Sequence, residues 1–255
     1  INRNNSIIVI YKKMTKKLWQ ASLKKKKNSN LFAFENYLTK KFNIKFNKIY
    51  KNLLEWSIKN SSEFWSSFWD FSKIKGIKSK KKIRKSKIFY KNLFLPGTKL
   101  NFGQNLLSKN NNEKAITFIS ENGFREERSW KKLNLNTASI IQFLKQIKIV
   151  KGDRVAAYMP NCIETVEAFL ATTSIGGIWS SCSPDFGANG VIERFSQIKP
   201  KILFITDQYF YNGKKINIIE RLSEILKQIP SIKNVVVVSY PGNKFLKNSK
   251  KFKKQ

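Results

Sequence analysis

The sequence predicts an α/β fold: a helical N-terminal segment followed by the first part of a mostly parallel, helix-flanked sheet. Three observations predict it. Leu31, Phe34, Leu38 and Phe42 recur at spacings of three and four, the period of a helix. Beyond residue 114, short apolar runs alternate with longer amphipathic ones. Between them, Val150 to Phe195 reads VKGDRVAAYMPNCIETVEAFLATTSIGGIWSSCSPDFGANGVIERF, with a turn, strand, helix, Gly-Gly break, second strand and second helix. Strands and helices alternating at that rhythm need crossover connections, the pattern of a parallel sheet covered on its faces.

The elements follow in order. The first residue is Ile and the first Met is Met14, so 1–13 is read as upstream translation. Ile49, Leu53, Trp56 and Ile58 suggest a second helix. Ser61 or Ser62 caps a third, with Glu63, Phe64, Trp65, Phe68 and Trp69 in its first turns. The two Trp residues are assigned to core or interhelix packing rather than to a cofactor platform. Residues 73–91, with KSKKKIRKSK at 78–87, are a basic solvated linker. LPGTKLNFGQNLLS at 95–108 gives a Pro-Gly turn and a short helix. AITFIS (115–120) and FREERSW (124–130) flank Glu121-Asn122-Gly123, and the Asn-Gly pair predicts a hairpin.

Trp130 to Gln146 is a helix with a buried stripe of Leu133, Ile140, Ile141, Leu144 and Ile147. Lys151-Gly152-Asp153 is a turn. Strand 154–159 follows, then a helix over 162–174, a strand over 178–182 and a helix over 188–197 that stops before Pro200. KILFIT (201–206) is a buried strand, 216–228 a helix, and NVVVVS (234–239) an apolar strand. The glycines at 176, 177, 187 and 190 serve turns and close packing. The organisation is therefore 1–30 as a disordered or upstream extension, 31–109 as a helical region with its basic linker, 110–240 as an incomplete α/β domain, and 241–255 as a basic tail.

Composition excludes several kinds of chemistry. Histidine is absent, which removes Ser/His, Cys/His and His-ligated metal mechanisms. Cys162 and Cys182 fit no metal spacing and read as reduced thiols, with a disulfide between them as the alternative. No run approaches the roughly 20 apolar residues of a membrane span, so the expected location is cytoplasmic.

The net charge is +34, unevenly spread. Residues 1–150 hold 34 of the 50 basic residues and eight of the 16 acidic ones, a net of +26. Residues 151–240 hold ten and eight, a net of +2. Only seven of the basic residues are Arg, the side chain best suited to bidentate phosphate and base contacts. The Lys excess, alongside Asn and Ile, reads as the drift of an AT-rich genome rather than as a selected polyanion surface.

Ligands of such a sheet sit at the carboxyl ends of the strands, here Pro160-Asn161, 181–187 and 207–215. No G-x-x-x-x-G-K-[ST] phosphate loop and no G-x-G-x-x-G fingerprint is present. The residues in order carry more. GDRVAAYMPN, GGIWSSCSPDFGANGVIERFSQIKPKILF and VVVVSY closely resemble the N-terminal part of the adenylate-forming acyl-CoA synthetases. LPGTKLNFGQNLL, SSEFWSSFWDF and MTKKLWQAS extend the resemblance over nearly all of 14–240. WSSCSPDFG makes the acetoacetate-activating branch the most similar.

The resemblance implies an AMP-binding, adenylating domain in 110–240. It implies ATP, CoA and Mg2+ as the family's cofactors and acetoacetate as its acyl substrate. ATP and a carboxylate would give an acyl-adenylate and pyrophosphate, and the CoA thiolate would displace AMP. The family's Ser/Thr/Gly-rich loop ending in Lys, acidic Mg2+ ligand, ribose-binding Asp and catalytic Lys have no counterpart in 1–255. No catalytic residue or metal ligand is therefore assigned, and inactivity in isolation is expected. By position the family's CoA-contacting basic loop falls on Tyr211, Asn212, Gly213 and Lys214, with the Ser183–Phe186 turn close by. Relatives of the acetyl type carry Arg at both ends of that loop; here Tyr211 replaces one and Lys214 the other, which weakens the match.

A second reading from charge alone is a non-catalytic basic module that binds nucleic acid or another polyanion. The family reading is preferred, because charge alone specifies nothing. If the gene is split, the missing C-terminal portion is the expected partner. Apolar NVVVVS is then expected to be an edge strand without its neighbour, giving poor solubility in isolation.

Overall fold

The computed structural model describes residues 18–46, 49–81 and 83–241. The chain divides into two compact units after Lys99. In the first unit, helix α1 (Leu23–Lys27) begins where the Ser22 hydroxyl accepts the Lys25 N–H at 3.2 Å. Residues 23–27 are therefore helical, inside the stretch 1–30 expected to be disordered or an upstream extension. The reading of 1–13 lies outside the described residues. Helix α2 (Asn30–Phe42) starts at a Ser29 cap and stops at Asn43, whose φ of 52° is left-handed. Helices α3 (Ile49–Lys59) and α4 (Ser61–Phe71) follow.

Their shared core is small and aromatic. Phe34, Leu38 and Leu53 are buried, with Phe42, Trp56, Phe64 and Phe71 packed around them. The Phe34 ring meets Phe64 and Phe68 edge-on at 5.6 and 5.7 Å, a favoured arrangement of ring quadrupoles. Trp69 is buried, and Trp65 packs edge-on against Phe94 at 5.5 Å.

Two expectations change here. Ser61 and Ser62 lie inside α4, and Asn60 holds the cap position without a side-chain cap bond. Asn60 donates to the Trp56 carbonyl instead, and the Ser62 hydroxyl accepts the Ile83 N–H. The basic segment 73–91 is also partly structured. Lys78 pairs with Asp70 at 2.6 Å, and Arg84 and Leu93 form an isolated antiparallel bridge.

The second unit opens with α5 (Phe102–Leu106), capped by Asn101. The Asn101 amide also donates to the Thr173 and Ser174 carbonyls at 3.0 Å. A Cβ on Gly103 would lie 2.4 Å from the Ser174 hydroxyl and 2.9 Å from its backbone nitrogen, so only glycine permits this approach. Strands β1 (Lys114–Ile119) and β2 (Arg125–Ser129) form the predicted antiparallel hairpin. Its loop, residues 120–124, is longer than a two-residue turn, and of the Asn-Gly pair only Gly123 has a positive φ. Helix α6 (Trp130–Gln146) has its predicted limits and is capped by the Ser129 hydroxyl.

The main sheet holds β3 (Arg154–Tyr158), β4 (Ile178–Cys182), β5 (Ile202–Thr206) and β8 (Asn234–Val238) in the order β8-β5-β3-β4, all parallel. Helices α7 (Ile163–Ser174), α8 (Ala188–Ile198) and α9 (Leu222–Gln228) are its crossovers. Side chains alternate between faces with period two. Ala156, Tyr158, Leu203 and Ile205 enter one cluster with Phe195 of α8 and Ile225 of α9. Val155, Ala157, Ile202 and Phe204 enter the other with Leu144 of α6 and Ala171 of α7. Covering on both faces explains why β5 reads as an unbroken apolar run. Edge strand β8 is half-buried throughout.

The helix expected over 216–228 is shorter. Gln208–Tyr211 (β6) and Lys214–Asn217 (β7) form an antiparallel hairpin, followed by a 3-10 turn at Ile219–Arg221 and then α9. Helix α8 ends at Lys199, whose φ of 49° is left-handed. Cys162 and Cys182 are both buried and free. Among the described residues no helix is long and apolar enough to cross a membrane.

Candidate functional site

The carboxyl ends of the parallel strands form a connected rim, and Asp207 is its splice. Its backbone N–H donates to the Val238 carbonyl, tying the end of β5 to the end of β8. Its carboxylate accepts the Gln208 and Tyr240 N–H groups, each at 2.8 Å. Its carbonyl accepts the Ile218 and Ile219 N–H groups at the far base of the hairpin. One residue thus fixes where the β6–β7 hairpin leaves the sheet. The Tyr240 hydroxyl lies 2.7 Å from the Ser120 hydroxyl at the β1–β2 loop, which extends the rim.

The turn after β4, Ser183 to Gly187, is held from beneath. Arg221 donates to the carbonyls of Pro184 at 3.2 Å and Phe186 at 3.0 Å, and also to the Tyr158 hydroxyl. The Tyr158 hydroxyl lies in turn within reach of both carbonyls. The Arg194 guanidinium stacks 4.0 Å above the Phe186 ring. Burial pushes the Tyr158 phenol above its ordinary range, so it stays protonated despite the Arg221 charge beside it. Asp185 accepts from Ser183 at 2.9 Å and from the Tyr209 hydroxyl at 3.1 Å. Burial, together with that carboxylate, pushes the Tyr209 phenol up to about 12. The Tyr209–Asp185 bond links the turn to the hairpin.

Tyr211, Asn212, Gly213 and Lys214 form the tip of this hairpin. Asn212 and Gly213 have φ of 49° and 70°, so both central residues of the two-residue turn are left-handed, and Tyr211 pairs with Lys214. Tyr211 and Lys214 are exposed. The Gly213 N–H points at the Glu121 carboxylate, 3.4 Å away. Chemically the tip offers one cationic head, an aromatic face and a backbone N–H already facing an anion. That set fits a phosphate oxygen loosely, since Lys gives a point charge and no fork. Among the described residues no group of three or more Cys, Asp or Glu is placed to hold a metal ion.

The sequence singled out residues 183–186 and 211–214 but not Tyr158, Tyr209 or Arg221, which position them, and it did not show that 211–214 is the tip of a hairpin. Arginine scarcity was the available signal. In a lysine-rich chain, Arg128, Arg154 and Arg221 each stand where one guanidinium meets several acceptors. Arg128 contacts Glu126 at 2.8 Å, Glu167 at 2.9 Å and Glu164 at 3.6 Å, and Arg154 donates to the Ile198 and Lys199 carbonyls.

A parallel, helix-flanked sheet with a fixed turn and hairpin at its carboxyl edge is an open α/β domain, the class whose ligands bind outside the carboxyl ends of the strands. The sequence pattern of the AMP-binding enzymes matches residues 106–255. The chain belongs to that family. It is 37% identical over 219 residues to an acetoacetyl-CoA synthetase of Xenopus tropicalis, covering 84% of this chain and 32% of that protein. An acetoacetyl-coenzyme A synthetase of Rhizobium meliloti is 37% identical over 189 residues, covering 74% of this chain and 29% of the relative. The solved acetoacetyl-CoA synthetase from Streptomyces lividans superposes with a TM-score of 0.82 at 26% identity, over 88% of this chain and 35% of that one. The chain therefore spans about a third of the length of the relatives it matches.

Proposed function

We propose that these 255 residues are the N-terminal portion of an acetoacetate-activating acyl-CoA synthetase. The complete enzyme joins acetoacetate to CoA, with ATP and Mg2+ driving the reaction through an acyl-adenylate, in the cytoplasm. The carrying observation is the 37% identity to an acetoacetyl-CoA synthetase sustained across 84% of the chain. In this reading the rim contributes to CoA binding. Lys214 offers its charge to a CoA phosphate, while the Ser183–Phe186 turn bounds the other side. Arg221, Tyr158 and Tyr209 hold that turn at fixed height. Adenylation depends on groups outside 1–255, so this portion alone is inactive.

The test uses pyrophosphate release from ATP that depends on acetoacetate. The chain alone gives none. Co-expressed with the downstream two-thirds of the Rhizobium meliloti relative, it restores turnover. Turnover by the chain alone, or a folded co-complex that stays silent, refutes the reading. In the active complex, Lys214→Gln is expected to raise KM for CoA about tenfold with kcat nearly unchanged, the loss of one charge-assisted contact.

A further inference from the structure

The helical unit contains a cleft of about 540 Å³. Its wall carries Lys41, Lys78, Lys80 and Lys81. Glu63 also lines it, and Asp70 pairs with Lys41 at 3.3 Å and with Lys78 at 2.6 Å. Four lysines against these two carboxylates leave two positive charges, the complement of a phosphate dianion.

Ser67 makes the second, independent point. It is fully buried, it belongs to the wall of the cleft, and its hydroxyl has no hydrogen-bond partner. Buried polar atoms are nearly always satisfied, so an orphaned hydroxyl at a cleft points to an acceptor that completes it. The N-terminal turn of α4 adds to the field. Ser62 and Glu63 of that turn line the cleft, and Asn60 leaves the helix end without a side-chain cap. The positive end of the helix dipole is thus turned to the same space. Phe42 and Leu95 complete the wall with apolar surface.

We propose that this cleft binds a phosphate dianion carried on a small molecule. Lys80 and Lys81 close over the phosphate oxygens, Ser67 donates its hydrogen to one of them, and Phe42 and Leu95 cover the carrier. The volume suits a small molecule. A nucleic-acid strand would instead need an extended basic groove with exposed stacking faces.

The experiment is equilibrium dialysis of the whole chain against radiolabelled inorganic phosphate, and separately against phenyl phosphate, in potassium chloride near physiological strength. One saturable site per chain is expected, with phenyl phosphate the tighter ligand. Lys80→Gln with Lys81→Gln should weaken both ligands by about tenfold or more, as the loss of charge-assisted contacts requires. Ser67→Ala should weaken them a few-fold, and circular dichroism checks that it folds. If it does not, the exposed Lys80 and Lys81 pair carries the test alone. Lys24→Gln with Lys25→Gln, on the exposed α1, should change nothing. The proposal falls if no saturable binding is found, or if the α1 pair weakens binding as much as the Lys80 and Lys81 pair does.

Discussion

The two units hold themselves together by different means. The helical unit has a cluster of three buried apolar residues and a shell of aromatic rings, inside the part of the chain that carries most of the positive charge. The α/β unit has two continuous apolar layers, one on each face of its parallel sheet, and its charged groups make specific multi-point contacts. The difference shows where substitution is tolerated. Lysine on a helix surface needs no partner, so it accumulates there without structural cost. Between two helix-covered faces every side chain has a defined neighbour, and the planar guanidinium of Arg128 meets three carboxylates in fixed positions.

This contrast can be broken from the inside outward. Phe195→Ala empties the centre of one sheet layer, where the ring is fully buried. It should cost about 3–5 kcal/mol by denaturant unfolding. Arg128→Ala strands the buried Glu167 carboxylate, already pushed toward protonation by burial, with Asn136 as its remaining donor at 2.8 Å. A loss of about 3 kcal/mol is expected, and an apolar double replacement of Arg128 and Glu167 should recover much of it. Arg221→Lys keeps the charge but replaces the Nη1 group that meets the Tyr158 hydroxyl and the Pro184 and Phe186 carbonyls with an ammonium on a shorter side chain. It should cost about 1–2 kcal/mol and speed amide exchange in that turn selectively.

The smallest effect is a dependence on pH. Burial opposes ionisation of Asp153, but hydrogen bonds from Lys201 and the Val150 N–H outweigh it and hold its pKa below the ordinary 3.8. A depressed pKa stabilises the fold above the unfolded value, and that stability is lost as pH falls from 3.8 through the folded value. Asp153→Asn should therefore lower stability at neutral pH and flatten the acid limb of the unfolding curve. An unchanged acid limb would remove Asp153 from the account.

Much of the α/β unit was legible because its periodicities are long. Helix α6 has its predicted limits, since 17 residues sustain one amphipathic stripe behind a serine cap. The β6–β7 hairpin was not legible. Ile216, Ile219 and Leu222 follow a helical spacing by accident, and all three pack against one face of the sheet from a strand, a 3-10 turn and a helix. The two Asn-Gly pairs make the same point. Asn122-Gly123 drew the hairpin prediction and sits in a longer loop, whereas Asn212-Gly213 was read as a loop and forms the two-residue turn. Flanking residues decide which outcome occurs, and four-residue strands carry too little alternation to announce themselves. The rim's tethers were hidden for another reason. Asp207 and Arg221 act through backbone carbonyls and N–H groups far away in sequence, which no local pattern encodes.

Lys199 ends α8 in a left-handed conformation, and Lys73 and Lys148 also have positive φ. A Cβ at such positions crowds the backbone, so each is a local misfit carried in the native state. These sites are therefore an untapped reserve for engineering. Lys199→Gly is expected to raise the midpoint of thermal unfolding by a few degrees, the equivalent of about 0.5–1 kcal/mol, although it removes side-chain atoms and adds no contact.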